Sequence, residues 1–203
     1  MTAKEVTPLR GDERLYNTIL HLEHNTVLHF WRWAFSNLQM NDVRGIFAEW
    51  LVAVLLDIPL TIRDSWKEWD LITPEGVTIE VKTSGYLQAW QQKKMSKIVF
   101  RRLRGRRLDV MSNIYAEKST YNADLYVFCV QIEKDARRWD ALDLSQWRFY
   151  LTSKKELTQL DQDSLSINTL ARLSSEMTAE KFQVRAKAAI MEMMKSKEEN
   201  PTG

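Results

Sequence analysis

The 203-residue chain predicts an α/β fold: a mixed central β-sheet flanked by helices, with helical additions at both ends. Three observations predict it. Between Asn41 and Asp57 apolar residues recur at three- and four-residue intervals, and after Pro59 the period changes to two. The run ADLYVFCVQIE is β-rich and nearly all apolar in its middle, as a strand covered on both faces should be. From Thr178 to Met194 a helical period returns.

Taken in order, Asn25-Thr26 can cap a first helix through VLHFWRWAFSNL, and Asn41-Asp42 a second through VRGIFAEWLVAVLLD, closed by Ile58-Pro59. In the second, Ile46, Phe47, Trp50, Leu51, Val54 and Leu55 describe one broad buried face, with Arg44, Ala48 and Glu49 to its side. Strands are expected near Leu60 to Asp64, Trp66 to Thr73 and Val77 to Thr83. A less regular polar segment, YLQAWQQKKMS, then leads to strands in KIVFRRL, ADLYVFCVQIE and WRFYLTS. Short helices at Lys154 to Leu160 and Ile167 to Leu173 precede the last helix, and KSKEENPTG should be a frayed polar tail. The length suits one domain: an amino-terminal helical extension over 1–41, a core over 42–150 and a helical segment over 151–203.

The longest apolar stretch, Trp50 to Leu56, falls far short of the roughly 20 residues that span a bilayer. With no apolar signal core in MTAKEVTPLRGDER, a cytoplasmic protein is expected. A lone cysteine, Cys129, has no disulfide partner and should be a small buried hydrophobe. The net charge of +2 conceals an uneven distribution. From Val81 to Arg107 there is no acid, while Lys82, Lys93, Lys94, Lys97, Arg101, Arg102, Arg104, Arg106 and Arg107 are basic. Such a stretch suits the track of a phosphate backbone, and on charge alone a solvated face explains it equally well.

The hairpin WDLITPEGVTIEVKTSG, residues 69–85, carries the chemistry. A three-residue loop, Pro74-Glu75-Gly76, sets Leu71 opposite Ile79 and Trp69 opposite Val81, and gathers the large apolar side chains on one face. The same register sets Asp70 across from Glu80, and Glu68 across from Lys82, on the other face. Two opposed carboxylates repel unless a positive group lies between them, and a hard divalent cation would serve. Spacing alone leaves this reading level with a solvated hairpin face.

Asp70, then Glu80-Val81-Lys82 on the following strand, behind a helix bearing Arg44-Gly45-x-x-Ala48-Glu49, resembles the PD-(D/E)XK phosphodiesterase superfamily over roughly residues 42–150. One departure is Trp69, which stands where that motif has its proline. The resemblance implies a restriction-endonuclease-like core, α-β-β-β-α-β, and a Mg²⁺-dependent nuclease, most readily an endonuclease on DNA, with Mn²⁺ as a substitute metal and RNA as the alternative substrate. It implies that Asp70 and Glu80 hold the metal, with the Val81 carbonyl as a further ligand and Glu49 as an auxiliary acid. Lys82 would orient the attacking water and stabilise charge. Gln88 would help hold the substrate, although a polar residue opening the next segment is the simpler reading. Lys93, Lys94, Lys97, Arg101, Arg102 and Arg104 would follow the nucleic-acid backbone. A catalytically inactive nucleic-acid-binding subunit is the alternative, and a homodimer is admitted because two nicks make a double-strand break.

Other motifs are thin. His21, His24 and His29 lack the cysteines or further histidines of a zinc set. No phosphate-binding glycine loop and no G-x-S-x-G elbow is present. Tyr86 and Trp90 could stack on bases, though core packing is the simpler expectation. Phe30, Trp31, Trp33 and Phe35 should pack the first helix onto the fold, with an oligomer contact as the livelier alternative.

Overall fold

The computed structural model of the protein describes residues 6–109 and 114–199. Its helices are α1 (Val27–Phe35), α2 (Asn41–Leu55), α3 (Lys154–Leu160), α4 (Ile167–Leu173) and α5 (Ala179–Glu199). Its strands are β1 (Leu71–Ile72), β2 (Thr78–Gly85), β3 (Val99–Arg101), β4 (Leu108–Asp109), β5 (Ile114–Tyr115), β6 (Leu125–Gln131), β7 (Trp147–Ser153) and β8 (Ser164–Ser166). The central sheet is mixed, in the order β1-β2-β6-β7, with β2 and β6 parallel and the outer pairs antiparallel. The α/β fold class is therefore the one observed.

Strand β6 explains why the sheet has two covered faces. All seven of its residues are buried, and since alternate side chains point to opposite sides, each face needs its own cover. Val127 and Cys129 join Ile79, Val81 and Phe149 against α2 and α5, whose Ala186, Ala189 and Ile190 close that core. Phe182 of α5 stacks on Phe149 at 4.8 Å between ring centroids. Tyr126 and Phe128 face the other way and join Phe100, Leu157, Leu165 and Leu170. That second core is roofed by α3, α4 and the β3–β8 ribbon, in which Phe100 pairs with Leu165. Cys129 is buried as expected, and burial pushes its thiol pKa well up.

Several expectations need correction. Residues 60–64 form no strand, and of the run 66–73 only Leu71–Ile72 is ladder-paired. Among the described residues no helix lies between β2 and β6, where the α-β-β-β-α-β order requires one. The parallel crossover runs through irregular chain and the β3–β8 ribbon, and this ribbon with α3 and α4 supplies the burial that a crossover helix would give. Helix α2 forms where expected but is rotated: Val43, Arg44, Ala48, Leu51, Val52 and Ala53 are buried, while Ile46, Trp50 and Val54 are exposed. A helix apolar almost all round has no single stripe to predict its buried face. Helix α1 buries none of its residues; Trp31 is half-buried against Gly11 of the preceding segment, while Phe30, Trp33 and Phe35 are exposed. Residues 1–5, 110–113 and 200–203 lie outside the described residues; of the expected frayed tail, 195–203, residues 195–199 instead continue α5.

No described helix is long and apolar enough to cross a membrane.

Candidate active site

The hairpin register follows from its apolar residues. Leu71 pairs with Ile79 and Ile72 with Thr78. The Thr73 N–H donates to the Val77 carbonyl at 2.9 Å, and the Gly76 N–H to the Thr73 carbonyl at 2.9 Å. Gly76 holds φ at +80°, the left-handed position such a loop needs. Thr78 ties the start of β2 to β6, donating its N–H and hydroxyl to Asp124 Oδ2 at 3.0 and 3.1 Å.

Beyond Leu71 the ladder stops, and the strict cross-strand pairing expected there is not formed. The Asp70 N–H still reaches the Ile79 carbonyl at 3.1 Å. Its carboxylate turns inward, and Oδ2 accepts the Val81 N–H at 2.7 Å. The N–H and carbonyl of one strand residue leave on the same edge, so the Val81 carbonyl also points to the side of β2 that Asp70 occupies. Trp69 packs against the second core while Val81 belongs to the first, so the expected Trp69–Val81 pair is lost. Glu68 pairs with Arg107 at 2.7 Å instead of lying across from Lys82.

Glu80 and Lys82, two apart on one strand, share a face. Their side chains are linked at 2.5 Å between Lys82 Nζ and Glu80 Oε1 and are largely covered. Glu49 comes from α2 and is gripped in two-pronged fashion by Arg63, with Nε to Oε2 at 2.5 Å and Nη2 to Oε1 at 2.8 Å. That contact holds the Arg63 guanidinium above its ordinary pKa. Asp70 feels the crowding: burial first, then the charges of Glu80 and Glu49, push its carboxyl up to about 7, against the opposing pull of the Val81 N–H and Lys82. Glu49, Arg63 and Asp70 line one cleft of about 380 Å³, which also runs past Trp50, Leu60, Asp64, Lys67 and Ile72.

These oxygens suit a hard divalent cation. Carboxylates near enough to oppose each other's ionisation create the negative potential that such an ion neutralises, and Mg²⁺ keeps several waters, so a pair of carboxylates is enough to hold it. Among the described residues no three His, Cys, Asp or Glu side chains converge as a ready ligand set. Two of the three acids are held by cations, Glu80 by Lys82 and Glu49 by Arg63.

Gln88 stands apart from this cluster. Its Nε2 donates to the Gly85 carbonyl at 2.9 Å, its N–H meets Gln92 Oε1 at 2.7 Å, and its Oε1 is 3.5 Å from Arg44 Nη2. Gly85 is five residues along β2 from Glu80, about 16 Å at strand spacing. Arg44 itself is buried, and desolvation lowers its pKa; its Nη2 meets Asn41 Oδ1 at 2.5 Å and its Nη1 the Leu87 carbonyl at 3.3 Å. Gln88 is thus part of a clamp that closes the end of β2.

The basic stretch divides in two. Lys93, Lys94, Lys97, Arg101 and Arg102 are exposed and make no ion pair among the described residues. Arg104 is tied to Asp161 and lies 5.0 Å over the Tyr121 ring, and Arg107 is held by Glu68. Arg106 donates to the Ala116 carbonyl at 2.6 Å. Tyr86 packs against the second core, as expected, while Trp90 is exposed. His29 caps α1, its Nδ1 accepting the Thr26 N–H at 3.0 Å.

Arg63 is the site residue that the sequence hid. It lies 14 positions from Glu49, in a stretch whose alternation imitates a strand, and the fold alone brings the two together. No protein-family model matches the chain, and a search of curated proteins likewise finds no match.

Proposed function

We propose that the protein is a Mg²⁺-dependent nuclease of the PD-(D/E)XK type, hydrolysing phosphodiester bonds in DNA. The observation that carries this reading is the junction of Asp70 with β2. A partly buried carboxyl accepts the Val81 N–H at 2.7 Å, and the charges of Glu80 and Glu49 help raise its pKa. Asp70 and Glu80 would hold the ion, with the Val81 carbonyl on the same edge as Asp70. When bound, the ion lowers the pKa of a water and offsets charge on the phosphate.

The side chains supply the rest. Lys82 Nζ, paired with Glu80 Oε1 at 2.5 Å, would be freed in part if Glu80 held a dication, and its ammonium would then orient the nucleophile and balance charge on the phosphate. Arg63 fixes Glu49 at the cleft wall through its two-pronged contact. Lys93, Lys94, Lys97, Arg101 and Arg102, exposed and without an ion pair among the described residues, offer cations to the phosphate backbone.

A metal-dependent cleavage assay on mixed DNA substrates tests the proposal. Asp70→Asn and Glu80→Ala proteins should lose activity by roughly 100-fold or more, and cleavage at full rate in both would overturn the assignment. A second reading has its own support: Glu80 and Glu49 are each already paired with a cation, as suits a fold kept for binding alone. It predicts strongly salt-dependent DNA binding with no metal-dependent product.

A further inference from the structure

Helix α1 has an apolar surface that its own chain does not use. None of its residues is buried, and Phe30 and Trp33 are 53% and 83% exposed. Their rings meet one another instead, with Phe30 at 6.5 Å from Trp33 and 6.0 Å from Phe35 between centroids. A nine-residue helix is too short to be held by its backbone bonds alone, so it gains its stability from a surface to lie on.

Such a surface exists elsewhere on the same chain. Ile46, Trp50 and Val54, four residues apart on α2, form an exposed apolar stripe. Ile46 and Trp50 continue into the apolar wall of the 380 Å³ cleft at Leu60, Ile62 and Ile72. Monomers rarely expose contiguous apolar patches above a few hundred Å². Helix and stripe together offer on the order of 1,000 Å² of exposed apolar surface per chain, against the roughly 800 Å² per partner that a stable interface buries. Arg32 of α1 and Asp64 at the cleft mouth, both exposed and without an ion pair among the described residues, supply opposite charges at the two margins.

We infer that the protein is a reciprocal homodimer in which α1 of each copy covers the Ile46–Trp50–Val54 stripe and adjoining cleft wall of the other. Two-fold symmetry uses each surface once per chain and leaves neither exposed. The cleft wall also carries Glu49 and Asp70, so the exchanged helix lies beside the proposed active site. The inference itself rests on packing and stands whether or not the chain cuts DNA.

Sedimentation velocity on the full chain, with Trp33→Asp and Trp50→Asp variants, tests it. The wild type should sediment at twice the mass of one chain. Each variant should dissociate roughly tenfold or more readily, as a lost tryptophan anchor does, with a circular dichroism spectrum that loses at most the nine residues of α1 and keeps the rest of the fold. An equimolar mixture of the two variants should recover dimer in part, because one of the two contacts of the mixed dimer, the helix of Trp50→Asp on the stripe of Trp33→Asp, is intact. A monomeric wild type, a Trp33→Asp dimer as tight as wild type, or a mixture that stays as dissociated as its parts would overturn the inference. A wild-type monomer in which Trp33→Asp weakens binding of single-stranded DNA would give the face to nucleic acid instead.

Discussion

Asp70 keeps its proton to about pH 7 in the folded, metal-free chain, whereas an unfolded aspartate loses it near 3.8. Between those values the folded state holds the extra proton, so this group's contribution to stability falls as pH rises from about 4 to about 7 and is level above that. Asp70→Asn removes the penalty. In chelator at pH 8 the variant should be more stable than wild type by on the order of 1–3 kcal/mol, and near pH 4 the two should be equal, as chemical denaturation will read. Mg²⁺ should narrow that difference and reverse it where the difference is smaller, because a ligand at 100 times its Kd stabilises the wild type by about 2.7 kcal/mol. Asp70, Glu80 and Lys82 were legible because a two-residue period fixes which side chains share a strand face. Arg63 and Asp124 were not, since their partners are 14 and 46 residues away and no local pattern marks them.

The hairpin β1–β2 is the element that joins core to chemistry. Its register was legible because a slip by one residue would move Leu71 and Ile79 out of the core. Gly76 completes it, and a Cβ there would meet nothing within 4 Å, so Gly76→Ala carries the backbone cost alone. That cost is about 1 kcal/mol, measurable as a lower denaturation midpoint with an unchanged m-value. Helices were legible in place more than in orientation. For α2 the residues Ile46, Trp50 and Val54 are as apolar as the Leu51 and Val52 that are buried, so tertiary packing alone chose the face. Strand β8, three residues of SLS, carries too little pattern to be seen without its partner β3.

At the scale of the molecule, the mixed sheet was legible from β6, whose apolar run demands two covers. The connection between its parallel strands was not, because the chain roofs the second face with β3, β8, α3 and α4 from distant parts of the sequence. This arrangement leaves Lys93, Lys94, Lys97, Arg101 and Arg102 exposed on one segment. Each of them that contacts a phosphate should contribute about 0.9 to the slope of log affinity against log salt, so Lys93→Glu, Lys94→Glu and Lys97→Glu together should flatten that slope by up to about 3 in fluorescence-anisotropy titrations. The claim on which all of this turns is that Asp70 and Glu80 form one metal site. A crystal soaked in Mn²⁺ and read by anomalous scattering tests it most directly. One ion ligated by both carboxylates, with Lys82 Nζ released from Glu80, is the expected result; Glu80 still bound to Lys82 with no ion at Asp70 would overturn the metal site.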